Sequence, residues 1–298
     1  MTSTVILIKR NIKLFFKDKG MFFTSLITPA ILLVLYATFL GDVYRDSFIS
    51  NLPNALSLPE KLIDGLVGSQ LISSILAVSC VTVAFCSNFL MVQDKANGTL
   101  KDLRISPIKS SSLALSYYVA TIVSTLIICF IATGACLAYL AAVGFYMNVI
   151  DVAMLFIDVI LLVLFGTALS SVINFFLSSQ GQISAVGTIV SSCYGFICGA
   201  YMPISSFNEG LQKVISFLPG TYGTALIRNH SMRGALAEME NEGIPTSAIS
   251  SLKDAMDCNL YFFDKKVEEW TMYAILGGSI LVLLGIYIIL NALKKKQK

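Results

Sequence analysis

Charge is scarce in this chain. Only 13% of its 298 residues are Asp, Glu, Lys or Arg, about half the share of a soluble domain, and mean hydropathy is +0.78. That shortage excludes a soluble globular protein and makes the chain an integral membrane protein. The net charge of +3 and the lack of a basic-aromatic platform exclude a nucleic-acid partner. Histidine occurs once, as His230, in a polar stretch where a solvated loop residue is expected, so an intramembrane enzyme has no catalytic set to draw on. No Gly-x4-Gly-Lys-Ser/Thr phosphate loop occurs, so the chain is not an ATP-driven motor of that kind. Six of the seven cysteines, Cys80, Cys86, Cys129, Cys136, Cys193 and Cys198, lie inside apolar segments, where thiols act as small hydrophobes. Cys258 stands alone in a polar region and is expected to be reachable from outside. No disulfide framework or metal spacing results.

Long apolar runs are present in their place. Val5, Ile8, Ile12, Phe15 and Phe16 recur at helical spacing opposite Lys9, Arg10, Lys13 and Lys17, which predicts an amphipathic helix over residues 1–20 lying on the inner membrane surface. Residues 21–40, 68–92, 113–143, 152–177, 183–202 and 270–293 are each long enough to cross a bilayer. Pro29 marks a kink in the first, and Gly and Ser in the fifth allow close helix packing. Residues 41–67 are expected as a first external loop, residues near Asn148 as a tight turn, and residues 178–182 as a minimal inner turn. Residues 203–269 form a long external region.

Six spans put both termini on one side. Thirteen of the 21 basic residues fall on the same side, five before Met21, four from Lys95 to Lys109 and four after Leu293. Since short loops dominate the positive-inside rule, both termini are expected in the cytoplasm. Residues 93–111 then form a charged cytoplasmic island. A short helix can start near Gly98-Thr99, carry Leu100 and Leu103 on one face, and must stop before Pro107. Such a helix is shaped for a groove on a soluble partner; an ordinary connector is the alternative.

The residues Gly98-Thr99-Leu100, Leu103 and Ser106-Pro107-Ile108, followed after the fifth span by Met202-Pro203-Ile204-Ser205, Leu211, Phe217-Leu218-Pro219-Gly220-Thr221-Tyr222 and Arg228, resemble the two motifs of the ABC-2 permeases, the membrane subunits of one class of ATP-driven exporter. Motifs and span order together cover nearly the whole chain. Two departures stand out: Phe207-Asn208-Glu209 replaces a proline common in the family, and residues 229–263 look like an insertion, with short helices expected at 235–242 and 247–256. The resemblance implies an all-α fold of six transmembrane helices with an N-terminal interfacial helix and re-entrant external helices before the sixth. It implies that Gly98, Thr99, Leu100, Leu103, Arg104, Pro107 and Ile108 couple to a separate ATPase, present in two copies, which binds the ATP and magnesium; this chain needs no cofactor. A second permease copy or a paralogous permease completes the pore, in a cell membrane that is expected to be bacterial.

By analogy with that family, Phe85, Asn88 and Phe89 of span two and Tyr194, Phe196 and Tyr201 of span five are candidates for a substrate path, and Pro203, Pro219 and Tyr222 for an external gate. Packing or lipid contact is the alternative for each aromatic. Asp158 lies within the fourth span, where a lone carboxylate costs about 2.5 to 3.5 kcal/mol on insertion scales. It is either functional or paired to a hydroxyl or amide of a neighbouring helix. The expected function is export of hydrophobic or amphipathic, drug- or antibiotic-like compounds, with a small peptide, toxin or lipid-linked molecule as the second class. An ion-coupled secondary transporter would need midplane charges and inverted repeats; only Asp158 fits in part.

Overall fold

The computed structural model describes residues 2–50, 59–106, 108–263 and 265–296. Pro53 and Pro107 therefore lie outside the described residues. The first helix, α1 (Thr2–Lys17), buries Leu7, Asn11 and Phe15 at four-residue intervals against α6 (Ser110–Val143) and leaves Lys9 and Lys13 exposed. Asp18 separates it from α2 (Lys19–Leu35), whose first turn it caps by accepting the Met21 amide at 3.1 Å. Pro29 sits inside α2 without ending it. A π-helical turn (Tyr36–Leu40) carries the helix on into α3 (Gly41–Ser50).

The expected external loop at 41–67 is corrected at both ends, since α3 runs to Ser50 and α4 (Glu60–Ala96) begins at Glu60. Charged and polar residues there ride on helix ends. Arg45 of α3 holds Asp64 of α4 at 2.6 Å, which ties the two ends together.

The helix α4 is the axis of the protein. All residues from 68 to 92 are buried, and α6, α7 (Val149–Phe176), α2, α8 (Gln180–Ile197) and α10 (Pro219–Asn241) pack around it. Its sequence suits a helix covered on all sides. Hydroxyls of Ser69, Ser73, Ser79 and Thr82 turn back onto carbonyls three or four residues earlier at 2.6–2.9 Å, so small polar residues are satisfied without a partner helix. Their small volume allows close approach. Asn88 reaches α7, donating to Ser170 Oγ at 3.0 Å and Ser171 Oγ at 2.9 Å.

A five-residue turn joins α6 to α7, closed by a capping box of Asn148 and Asp151. It wedges between α4 and α10. A Cβ at Gly144 would stand 2.5 Å from the Lys61 carbonyl of α4, and one at Gly234 of α10 would collide with the Tyr146 carbonyl. Glycine is required at both contacts.

Among the described residues, five helical segments are long and apolar enough to cross a bilayer: 19–46, α4, α6, α7 and 269–293 of α12 (Glu269–Lys296). The expected fifth span falls on α8, which spans only 18 residues, carries Gln180, Gln182, Ser184, Thr188, Ser191 and Ser192, and stops at Ile197. Gly199, at φ +71°, turns the chain there. Beyond it come α9 (Glu209–Ser216), α10, α11 (Thr246–Ala255) and an antiparallel hairpin of β1 (Leu260–Phe262) and β2 (Lys265–Val267). The helix expected at 235–242 is the end of the continuous α10; that expected at 247–256 is α11.

At the end of α4 nearest α5 (Thr99–Ile105), two adjacent charges fasten three helices. Asp94 accepts from Arg10 of α1 at 2.8 Å and from the Tyr117 hydroxyl of α6 at 2.5 Å. Lys95 donates to the carbonyls of Asn174, Phe175 and Leu177 at 2.9–3.1 Å, a cation on the negative end of the α7 dipole. Replacing Asp94 by Ala leaves a buried tyrosine hydroxyl and a half-buried guanidinium without their acceptor, and should cost about 1–3 kcal/mol. Asp94→Ala should melt earlier in detergent and be cleaved faster by trypsin at Lys13. Unchanged melting and cleavage would show that α1 is held by apolar packing alone.

Candidate functional site

A cavity of 1320 Å³ lies between α2 and α8, floored by α4 and running from Asp18 and Gln93 at one end to Pro203 and Met256 at the other. Its walls are apolar side chains interrupted by hydroxyls. Ile27, Ile31 and Phe39 come from the α2 side, and Ser184, Thr188, Ser191 and Ser192 from α8. Among the described residues Asp18 is the one charged lining residue, and its carboxylate already caps α2.

Four of the predicted residues meet in this cavity: Phe89, Phe196, Tyr201 and Pro203. Phe196 and Tyr201 stack edge to face with centroids 5.0 Å apart. Tyr201 folds back over α8 because Gly195 leaves room; a Cβ there would enter the ring. The other path candidates turn away. Phe85 is buried in the core, Asn88 is bound to α7, and the Tyr194 hydroxyl stands 2.7 Å from where a Cβ of Gly220 would be. Pro219 opens α10, and Tyr222 is buried, its hydroxyl donating to the Ser216 carbonyl at 2.5 Å to close α9 onto α10.

The end wall of the cavity depends on a residue whose role spacing alone did not reveal. Arg228, 1% exposed, donates to the Gly199 carbonyl at 2.7 Å and the Met256 carbonyl at 2.8 Å, and lies 3.5 Å from Asp257. Asp257 in turn accepts the Ile204 amide at 2.8 Å. One guanidinium thus joins the turn after α8, the body of α10 and the end of α11. Burial pushes the Asp257 carboxyl up to about 6, against the pull of Arg228 and the Ile204 amide. Next to it, Cys258 is 1% exposed and its thiol is pushed up to about 12 by burial; the expectation that it is reachable is corrected.

His230 is corrected as well. It is fully buried, not solvated, because α10 continues through the stretch expected to be loop. Its Nδ1 lies 2.6 Å from Asp158 Oδ2 of α7, while Tyr273 of α12 donates to Asp158 Oδ1 at 2.6 Å. Both oxygens of the intramembrane carboxylate are therefore occupied. On the other side Nε2 lies 2.9 Å from Glu269 Oε1, a charge contact too poorly aligned for a hydrogen bond. Arg233 bridges Glu269 at 3.2 Å and Asp151 at 3.5 Å. The lone acid and the lone histidine are 72 residues apart, so only the fold brings them together.

The helix α5 starts at Gly98, at φ +81°, a conformation glycine adopts without strain. Thr99 opens the helix, Leu100 is buried, and Leu103 and Ile108 are half-buried against the body of the protein, while Ile105 is 84% exposed. The side chain of Arg104 and all of Pro107 lie outside the described residues.

Burial lowers the His230 imidazole, but the Asp158 hydrogen bond and charge outweigh it, so the net displacement is upward from 6.5. A group raised in the folded state contributes stability that is full below its unfolded pKa and lost as pH rises through the folded one. His230→Ala should therefore cost about 3–5 kcal/mol at mildly acidic pH and less at alkaline pH, read as melting temperature in detergent. A pH-independent deficit would mean that the imidazole acts by packing.

A family model described as ABC-2 type transporter matches residues 2–230, from α1 to His230 within α10, leaving α11, the hairpin and α12 outside the match. No curated protein sequence matches the chain. A membrane domain of this type is a multi-pass permease component that works with an ABC ATPase and has no ATPase domain of its own. Since the match covers more than half of the residues, the chain belongs to the ABC-2 type transporter family.

Proposed function

We propose that this permease exports hydrophobic or amphipathic compounds, drug- or antibiotic-like in character, through the cavity between α2 and α8. The cavity carries the reading: 1320 Å³ of space exceeds what a drug-sized ligand needs, and an apolar wall with a few polar groups is the usual form of such sites. Tyr36 and Tyr44, stacked with centroids 5.4 Å apart, line it. The hydroxyls of Ser184, Thr188, Ser191 and Ser192 along α8 supply polar handles for the hydrophilic end of an amphipathic molecule. An ion-coupled mechanism finds less support, since Asp158 is absent from the cavity lining and has both oxygens engaged.

In this proposal α8 is the fifth of six spans and α12 the sixth, α9 and α10 form a re-entrant pair between them, and both termini face the cytoplasm. A second permease, identical or paralogous, completes the pore, and two ATPase copies bind ATP and magnesium. Nucleotide-driven closure of the ATPases pushes α5 and, through α4, closes the inner end of the cavity near Gln93 while the outer end near Pro203 opens. Substrate selection is loose, because apolar walls discriminate size by only about 1–3 kcal/mol per methylene.

Leu100 and Leu103 pack inward, which leaves Ile105 as the apolar side chain that α5 presents to a partner. A few central apolar residues usually carry such a small contact. Ile105→Asp should leave membrane insertion and melting intact but lose the ATPase on co-purification, or keep it and lose substrate-stimulated ATP hydrolysis. Leu103→Asp should also lower the melting temperature. An Ile105→Asp protein with normal partner and transport would reduce α5 to a connector.

The orientation has its own test in a Cys193→Ala background, which removes the exposed native thiol. Cysteine at Lys109 should resist a membrane-impermeant thiol reagent in intact cells, and cysteine at Glu242 should react. The reverse pattern would invert the topology.

A further inference from the structure

The hairpin and α9 present an apolar surface that neither the cavity nor the coupling helix uses. Phe217, which caps α9, meets Phe262 and Phe263 of the hairpin edge to face, with centroids 5.1 and 5.9 Å apart, and the two hairpin rings meet at 4.9 Å. The rings hold one another yet remain open to the surroundings: Phe217 is 62% exposed and Phe263 55%. Leu211 and Val214 continue the patch along α9 at three-residue spacing, also exposed, while Ile215 packs inward. A folded protein does not leave such a surface to water without a use for it.

Strand β2 adds two lysines, Lys265 and Lys266, which Asp264 and Glu268 flank in the sequence. Lys265 stands opposite Phe262 and Lys266 opposite Tyr261 in the strand register, so each exposed lysine shares a face of the ribbon with an aromatic ring. Aromatic rings beside lysines are the composition of a membrane-water boundary, where the ring lies at headgroup depth and the ammonium reaches phosphate.

Two connections hold this patch at that depth. First, β2 ends at Val267 and the apolar α12 begins at Glu269, so the strand lies within about 7 Å of the point where α12 starts its crossing. Trp270, 83% exposed in the first turn of α12, marks that level. Second, Thr221 at the start of α10 donates to the Ile197 carbonyl at the end of α8 at 3.3 Å, which sets Phe217 level with the end of a second apolar helix.

We propose that α9 and the β1–β2 hairpin form a lipid-binding foot, with Phe217, Phe262 and Phe263 in the headgroup-acyl boundary of the leaflet where α12 begins, and Lys265 and Lys266 on phospholipid phosphates. The foot rests on α12 crossing the membrane, and it is independent of which compound the cavity carries. It ties the segment clamped by Arg228, and hence the end wall of the cavity, to the bilayer.

Tryptophan fluorescence tests this on the full-length protein in lipid nanodiscs assembled with a tryptophan-free scaffold protein. In a Trp270→Phe background, Phe262→Trp supplies the single emitter. Its emission should drop by more than half in phosphatidylcholine brominated near the ester end of the acyl chains, and aqueous iodide should quench it little. Adding phosphatidylglycerol should shift the emission further to the blue, and Lys265→Gln with Lys266→Gln should remove that shift. Strong iodide quenching with no loss to brominated lipid would place the hairpin in water and overturn the foot. Emission unaffected by either quencher would place it against protein, such as a second permease copy, and overturn it equally. Should Phe262→Trp fail to purify, Phe217→Trp in the same background gives the same readings.

Discussion

A helix that is covered on every side must satisfy its own polar groups, and that constraint on α4 shapes the rest of the molecule. Residues 68–92 are all buried, with Cys86 and Phe89 forming the floor of the cavity. Each side-chain hydroxyl must therefore fold back on the helix or find a neighbour, because an unpaired polar group in a dry interior costs about 1–3 kcal/mol. Serine and threonine meet the first condition at Ser69, Ser73, Ser79 and Thr82, and Asn88 meets the second on α7. The same small side chains let α6, α7 and α10 come close. With no hydrophobic drive between helices in lipid, packing and these hydrogen bonds hold the bundle together.

The charged residues follow the same rule, gathered at the two ends of the bundle. At the end near α5, Asp94 and Lys95 join α1, α6 and the end of α7 to α4. At the other end, Asp158, His230, Tyr273, Glu269, Arg233 and Asp151 join α7, α10 and α12. Between them the bundle is mostly apolar, with self-bonded hydroxyls, the Asn88 contact to α7 and a few hydroxyls, such as Ser74 and Thr167, that have no partner among the described residues. Within the proposed cycle, a displacement of α5 reaches Gln93 and Phe89 along the continuous helix α4. In that cycle α2 and α8 are the parts free to yield, since their faces away from the cavity carry exposed Phe23, Val34 and Ile189.

What the amino-acid sequence made legible was set by hydropathy and local spacing. The membrane class, the helices at α4, α6, α7 and α12, and the short α5 between Gly98 and Pro107 all follow from runs of apolar residues and their punctuation. Boundaries at 41–67 were misread because charges suggested a loop, whereas Arg45, Asp64 and Glu60 ride on helix ends and pair there. The expected fifth span was read past its end because the apolar run continues through Ala200, although Gly199 turns the backbone. His230 was misread for a related reason: a polar stretch with mixed charge can be helix when its partners come from elsewhere. Asp158 as a residue of interest could be picked from its depth, but its histidine and tyrosine partners are 72 and 115 residues away. Nothing local encodes such pairs.

The cavity shows the same division between what is local and what is not. Phe89, Phe196, Tyr201 and Pro203 were reachable by analogy of span position, and the structure places them on one surface. Phe85 and Tyr194 are the same residue types on the same helices, yet they face the core, because a few residues along a helix reverse the direction of a side chain. The wall between cavity and exterior then depends on Arg228, whose two carbonyl bonds and nearby carboxylate come from three separate segments. A guanidinium suits that task where an ammonium does not, since its planar fork meets several acceptors in fixed directions at once. The end of the cavity is therefore held by polar bonds to loop backbone together with packed side chains such as Cys198, Ala200 and Met256.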